Sequence, residues 1–327
     1  MKTILKAGIV LAALGACDNG GNNPLTNPAV PDKDLPPGTN NPSAGDPVER
    51  YEAKDDNGNG YAQSITYDKK TDTFRVDNLA FDANNVYTRD DVVSTLGSFK
   101  VYENAAVYAD SVTGKPINQL SHKAILGISK NTTEDGKPVT QFAVVRTGAY
   151  IPYGFGGFMY QRNEGVVLPT SGQATFSGDY AALRDFNGRG GMEYVTGDMV
   201  LDIDFNDFNA GDAVKGRITD RKIFNVNGTE ITSTYTAALG VSELPVVKIV
   251  IGPGTISSAG EIKGEMGSHY YDASSDTIET YEKGKYFAVI AGSGADMEVA
   301  GIVVLESEDP LIKGVTARET GGFILYR

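Results

Sequence analysis

Thr196-Gly197-Asp198-Met199-Val200-Leu201-Asp202-Ile203-Asp204-Phe205-Asn206 decides the fold class. Met199, Leu201, Ile203 and Phe205 fall on one side of an extended chain, and Val200, Asp202, Asp204 and Asn206 on the other. Successive side chains of a strand point to opposite faces, so this period of two marks a strand with one buried and one wet face. Asn209-Ala210-Gly211-Asp212 follows as a turn, and Ala213 to Ile223 resumes as the returning strand. Val246 to Ile251 and Thr255 to Met266 flank Gly252-Pro253-Gly254, a tight reversal, while Tyr286 to Ala291 and Met297 to Leu305 bracket Gly292-Ser293-Gly294-Ala295-Asp296. Gly322 to Arg327 ends the chain in an apolar strand. With Gly172 to Tyr180 this gives about eight strands at hairpin spacing, enough to close a small barrel filled by its own side chains. The strands read too short, and their second face too charged, for a barrel that spans a membrane. A soluble eight-stranded barrel is expected over residues 166–327, and the fold class is all-β.

Residues 50–165 read as a separate β-rich, handle-like region. Ile65-Thr66-Tyr67 and Thr73-Phe74-Arg75-Val76 enclose the polar Asp68 to Asp72 and suggest a hairpin. Further strands are expected at Phe99 to Tyr102, Ala106 to Tyr108, Ala124 to Ser129 and Thr140 to Arg146, with Asn131 to Pro138 a loop between the last two. Arg89 to Leu96 has the pattern of one short turn of helix.

The N-terminus carries a different signal. Lys2 and Lys6 precede or interrupt an apolar run from Ile4 to Ala16, which closes on Leu14-Gly15-Ala16-Cys17. A basic start, a short apolar run and small residues before the cut form a bacterial secretory signal, too short to span a membrane. The quartet resembles the lipobox of bacterial lipoproteins, which implies that Cys17 becomes the lipid-carrying first residue after cleavage. Cys17 is the sole cysteine, so disulfides and thiolate chemistry are excluded. Residues 18–49, rich in Asn, Pro and Gly, read as a disordered tether. Fully extended, such a tether reaches on the order of 90 Å.

Composition restricts the partners. Lys+Arg number 29 against 42 Asp+Glu, a formal charge of -13, which repels nucleic acid and anionic headgroups. There is no tryptophan, while 39 glycines and 17 tyrosines suit an all-β chain with many turns.

The order of several motifs resembles transferrin-binding protein B and its relatives. These are Gly172 to Tyr180, Gly197-Asp198 to Phe205, Lys215-Gly216-Arg217-Ile218, Gly260-Glu261-Ile262-Lys263-Gly264, and Ala300 to Leu305 followed by Glu319-Thr320-Gly321-Gly322-Phe323. The resemblance covers residues 155–327 and implies a handle-like part followed by an eight-stranded barrel. It also implies a lipid-anchored protein of the bacterial outer membrane, exposed at the surface, that binds a protein ligand of the iron- or haem-carrier type. The chain has one barrel rather than two lobes. A passive envelope lipoprotein without a small ligand is the alternative. Asp18 directly after the lipid cysteine resembles an inner-membrane retention signal, which opposes surface display.

Few residues suggest chemistry. Neither His122 nor His269 sits in a nucleophile turn, so no catalytic residue is assigned and an enzyme is not expected. His269-Tyr270-Tyr271 could ligate haem iron or simply form an aromatic loop on the barrel rim; no metal and no cofactor are assigned. Asp55-Asp56-Asn57-Gly58-Asn59-Gly60 matches half a calcium loop, but position twelve is Thr66, and an Asn-Gly turn accounts for it equally. Tyr150 to Tyr160 carries aromatics among glycines and reads either as a contact surface or as packing between the two parts. The candidate ligand-binding residues are Tyr153, Phe155, Tyr160, His269, Tyr270 and Tyr271. A monomer held to a membrane by lipid is expected, with no nucleic-acid partner.

Overall fold

The computed structural model describes residues 35–327 except 57, 63, 78, 80, 81, 83, 111, 150–154, 207–212, 253 and 254. The signal, Cys17 and the tether up to residue 34 lie outside the described residues, as do the turns expected at Asn209 to Asp212 and at Pro253-Gly254. The first sheet holds β1 (Val48–Tyr51), β2 (Ile65–Asp68), β3 (Thr73–Val76), β4 (Val86–Arg89), β5 (Thr95–Leu96) and β6 (Phe99–Asn104). β7 (Val107–Ala109) and β8 (Pro116–Asn118) form a hairpin of their own. β9 (His122–Ile128), β10 (Thr140–Thr147) and β11 (Gly156–Arg162) complete the first sheet, in the order β1-β11-β10-β9-β6-β4-β3-β2 with β5 on β6.

The second sheet is the barrel. β12 (Val166–Val167) lies parallel to one of its strands and leads into β13 (Gln173–Asn187), β14 (Glu193–Asp204) and β15 (Val214–Asn225). Helix α1 (Thr232–Leu239) follows, then β16 (Val247–Ile249), β17 (Glu261–Asp272), β18 (Thr277–Ser293), β19 (Glu298–Glu308) and β20 (Thr316–Tyr326). Each of β13 to β20 pairs antiparallel with its neighbours, and β20 returns to β13 through pairs such as Tyr180–Phe323. The all-β fold and the closed eight-stranded barrel expected from the sequence are present.

Two kinds of barrel strand follow from two kinds of sequence. On β14, inward Met199, Leu201 and Ile203 are buried, while Val200, Asp202 and Asp204 are only partly so. β13, β18, β19 and β20 instead carry runs buried on both faces, such as Ala181-Ala182-Leu183 and Gly322-Phe323-Ile324-Leu325. Their inward residues, including Phe176, Tyr180, Tyr286, Val303 and Phe323, join the lumen core. Their outward residues Ala181, Leu183, Val289, Ala300, Ile302 and Ile324 pack on Val101, Ile125, Phe142, Val144, Phe158 and Tyr160 of the first sheet. Strands covered on both faces read as continuous apolar runs. Half the barrel wall is therefore the floor of a second core.

Phe142 is the key of that seam. A Cβ on either Gly127 or Gly322 would come within 2.2 Å of its ring, so both positions need glycine for the ring to lie flat between the sheets. Polar links add direction. Arg50 of β1 grips Glu261 of β17 through two hydrogen bonds of 2.7 and 2.9 Å, with both residues buried. The Arg162 guanidinium donates to the carbonyls of Ser43, Ala44, Asp46, Ala259 and Ile290. Glu298 of β19 accepts from Ser129, Asn131 and Thr140.

Three sequence expectations change. Residues 35–49, assigned by composition to the tether, lie on the body: Leu35 is buried, Tyr51 N donates to Pro37 O and Val166 N to Ala44 O. Arg89 to Leu96 is strand, bend and strand rather than a turn of helix, with Asp90 capping the backbone of Val92 and Val93. Most barrel strands run 11–17 residues, longer than expected. Length thus no longer separates this barrel from a membrane-spanning one. The charged outer face still does: Lys215, Arg217, Lys248 and Glu265 are exposed where lipid would be. Among the described residues no helix is long and apolar enough to cross a membrane.

His122 adds a pH dependence. It is fully buried beside the Tyr87 ring, its Nδ1 lies 3.2 Å from Leu120 O, and Nε2 has no partner. Burial lowers its pKa from 6.5 to about 4. Between these values the folded chain binds fewer protons than the unfolded one, so stability falls as pH drops through that window. The expected loss is on the order of 2–3 kcal/mol by pH 4.5, at about 1.4 kcal/mol per unit. Urea melts at pH 7 and pH 4.5 should show a clearly smaller difference for His122→Phe than for the parent chain; equal differences would assign the acid limb to other groups.

Candidate interaction surface

The end of the barrel that carries α1 is sealed from within. Tyr235 of α1 is buried and its hydroxyl donates to Glu193, which also accepts from Arg184 at 2.8 Å. Arg221 donates to both Glu282 oxygens, at 2.8 and 2.6 Å, and Ser268 Oγ donates to the same carboxylate. Tyr180 OH donates to Glu319 at 2.8 Å, and burial pushes that carboxyl's pKa up. Buried charges persist only when paired and hydrogen-bonded. This network lies against the apolar core that occupies the lumen.

Beyond Ser268 and Glu282, β17 and β18 leave the barrel as a projecting hairpin. Their register slips between Ser268 and His269, where Tyr281 is the extra residue, and resumes with His269–Thr280 and Tyr271–Ile278. His269 and Tyr271 share one face because strand residues two apart do. Asp272 Oδ1 accepts from Ser274 N and Oγ, and Asp276 takes φ +57° to turn the chain back. Tyr271 OH donates to Asp276 at 2.5 Å, which raises the tyrosine pKa. Tyr270 meets Tyr281 edge-on at 6.5 Å. Tyr271 and Ile278, directly paired, stand 56% and 74% exposed. An adjacent aromatic and aliphatic pair this open is an anchor of the kind protein interfaces use.

The hairpin borders a cleft of about 440 Å³ whose other wall is Val241 to Val246, with Lys248 at its foot. A second cleft, about 500 Å³, lies on the opposite side of that segment against Arg217 to Lys222. Both exist because β16 is only three residues long. Pro245, with no N–H to donate, stands just before it and cannot extend the ladder. A third cleft, about 690 Å³, lies at the handle–barrel junction between Val92 to Gly97 and Asp198, Asp220, Lys222 and Phe224.

The sequence candidates separate accordingly. His269, Tyr270 and Tyr271 come together on the hairpin and its cleft. Tyr160 is fully buried in the seam core, where no ligand reaches it, and desolvation drives its phenol pKa far upward. Phe155 is half-buried edge-on to Tyr61 at 5.1 Å. Tyr153 lies outside the described residues. Asp55 caps Asn59 through its backbone and amide N–H, and the Asn59 amide oxygen accepts from Arg146 and Arg318. Two guanidinium cations thus take up the Asn59 oxygen of that loop. Among the described residues, no three His, Cys, Asp or Glu side chains gather as a metal site. Ile278 and Pro245 were not singled out from the sequence; a lone isoleucine in a polar stretch and a proline ahead of a short strand were the available signals.

No family model matches the chain, and no curated protein matches it. Among solved structures it is similar to a double mutant of transferrin-binding protein B from Haemophilus parasuis Hp5, at 13% identity and a TM-score of 0.35, over 80% of this chain and 45% of that one. It is likewise similar to intact Ap-TbpB with its N and C lobes, at 13% identity and a TM-score of 0.34, over 80% of this chain and 46% of that one. A structure described as a surface lipoprotein is similar at 12% identity and a TM-score of 0.27, over 60% of this chain and 79% of that one. The chain thus spans less than half the length of the transferrin-binding protein B structures.

Proposed function

We propose that the chain is a lipid-anchored lipoprotein of the bacterial outer membrane, displayed at the cell surface, and that it captures a protein ligand of the iron- or haem-carrier type. It acts by binding rather than catalysis. One observation carries the binding role: the lumen is filled, while Tyr271 and Ile278 stand exposed on a projecting hairpin. A small ligand has no room inside the barrel, whereas a protein surface can cover the hairpin. The Leu14-Gly15-Ala16-Cys17 box supports the anchor. A stretch the length of residues 18–34 reaches at most roughly 58 Å, which keeps the body close to the membrane that holds the lipid.

The test is surface plasmon resonance on the lipid-free Cys17→Ser chain, with iron-loaded transferrin and haemoglobin as probes. One of them should bind, and Tyr271→Ala and Ile278→Ser should each weaken it by more than about 1 kcal/mol with Tm nearly unchanged. Binding by neither probe would favour the passive envelope lipoprotein.

A further inference from the structure

We infer that the β17 edge beside His269 and Tyr271 accepts an extended, basic segment of a protein partner as an added strand. The inference rests on the proposed binding role and specifies its mode. A closed barrel has no free edge, yet among the described residues the short β16 leaves part of the β17 edge without a ladder partner. β16 pairs with β17 only at Lys248–Gly267 and Ile249–Met266, while β17 runs on to Asp272. Backbone direction along β17 follows from its bonds lower down. Lys263 N donates to Thr255 O and Glu265 O accepts from Val250 N, both on the β16 side. Residues two apart present N–H and C=O to the same side, so His269 and Tyr271 present theirs there too. Among the described residues no backbone group pairs with them on that side.

The chain that passes there does not fill the edge. Val246, two residues before Lys248 and so turned to the β17 side, makes no backbone bond to His269 among the described residues, and the Pro245 carbonyl faces the other way, accepting from Arg221 at 3.1 Å. Instead the cleft of about 440 Å³ separates that segment from His269 to Tyr271. Adjacent strands stand about 4.8 Å apart, so an open edge facing a cleft offers main-chain bonds to an extended peptide. Alternate side chains of that peptide would reach the exposed Tyr271–Ile278 pair. Charge favours a basic peptide: Glu243 lines the cleft and Asp272, Asp276 and Glu279 lie on the hairpin, against Lys248 and, in the same row of the sheet, Lys283. A strand alternating basic and aliphatic residues fits both features.

The probe is a seven-residue peptide alternating lysine and valine, followed by hydrogen exchange on the full chain. The His269 and Tyr271 amides should become protected, while those of Val107 to Ala109 in the other projecting hairpin should not. Tyr271→Ala with Ile278→Ser should weaken binding about tenfold or more. A peptide of equal charge interrupted by prolines should lose binding, since it cannot complete the ladder. Unprotected amides at 269 and 271, or equal binding of the proline peptide, would overturn the strand-addition mode. If transferrin or haemoglobin still binds in that case, only the mode falls; if both probes fail while the amides are protected, the choice of ligand falls and the edge stands.

Discussion

Phe142→Ala is expected to lower the stability of the body by about 3–5 kcal/mol, the range for deleting a buried aromatic ring. The ring joins β10 to the outer wall of the barrel, seated between Gly127 and Gly322 and edge-on to Phe99 at 4.9 Å. Neither glycine can supply side-chain atoms to fill the cavity, so the site relaxes little. Gly322→Val should act in the same direction from the other side, because the new side chain must displace the ring. Thermal melts followed by far-ultraviolet circular dichroism check both. Parent-like Tm values in both variants would mean that the two sheets stand apart in solution.

Glu52→Ala is the second large effect, again about 3–5 kcal/mol, as when one partner of a buried ion pair is removed. Glu52 accepts from Gly60 N at 3.1 Å, from Arg146 at 2.9 Å and from Arg318. Arg146 comes from the first sheet and Arg318 from β20, so one carboxylate neutralises both sides of the seam. Asp185 is close by and feels both arginines electrostatically, but neither of its oxygens makes a hydrogen bond and burial pushes its pKa up. Without Glu52 the two guanidinium groups face each other across the seam. Glu52→Gln, which keeps the shape and loses the charge, should recover only part of the loss. Denaturant midpoints that match for Glu52→Ala and the parent chain would show that the network carries no net stability.

The sequence made the barrel legible because its information there is local. Period two in Thr196 to Asn206 and the turns at fixed spacing need no tertiary knowledge. The shared seam was written there too, in a different form. Ala300 to Leu305 and Gly322 to Leu325 are apolar on both faces, which marks strands that cannot border water. What was not legible depends on distant partners. Arg50 and Glu261 are 211 positions apart, and nothing near Arg50 announces its mate. Leu35 and Val48 are isolated apolar residues in a stretch of tether composition, yet they bury against the body. Helix α1 shows no polar cap at Ile231 and little amphipathic pattern; it forms as a plug, with Tyr235 held by Glu193. Tyr160 was misplaced because an aromatic beside glycines looks the same at a seam as at an open surface.

The most direct measurement is fatty-acid labelling of bacteria that express the full chain, combined with protease treatment of the intact cells. Label should enter the parent chain and not Cys17→Ser, and the protease should remove the labelled body while the cells remain whole. Label retained on Cys17→Ser, or a labelled body that survives protease until the cells are broken, would contradict a lipid-anchored surface protein.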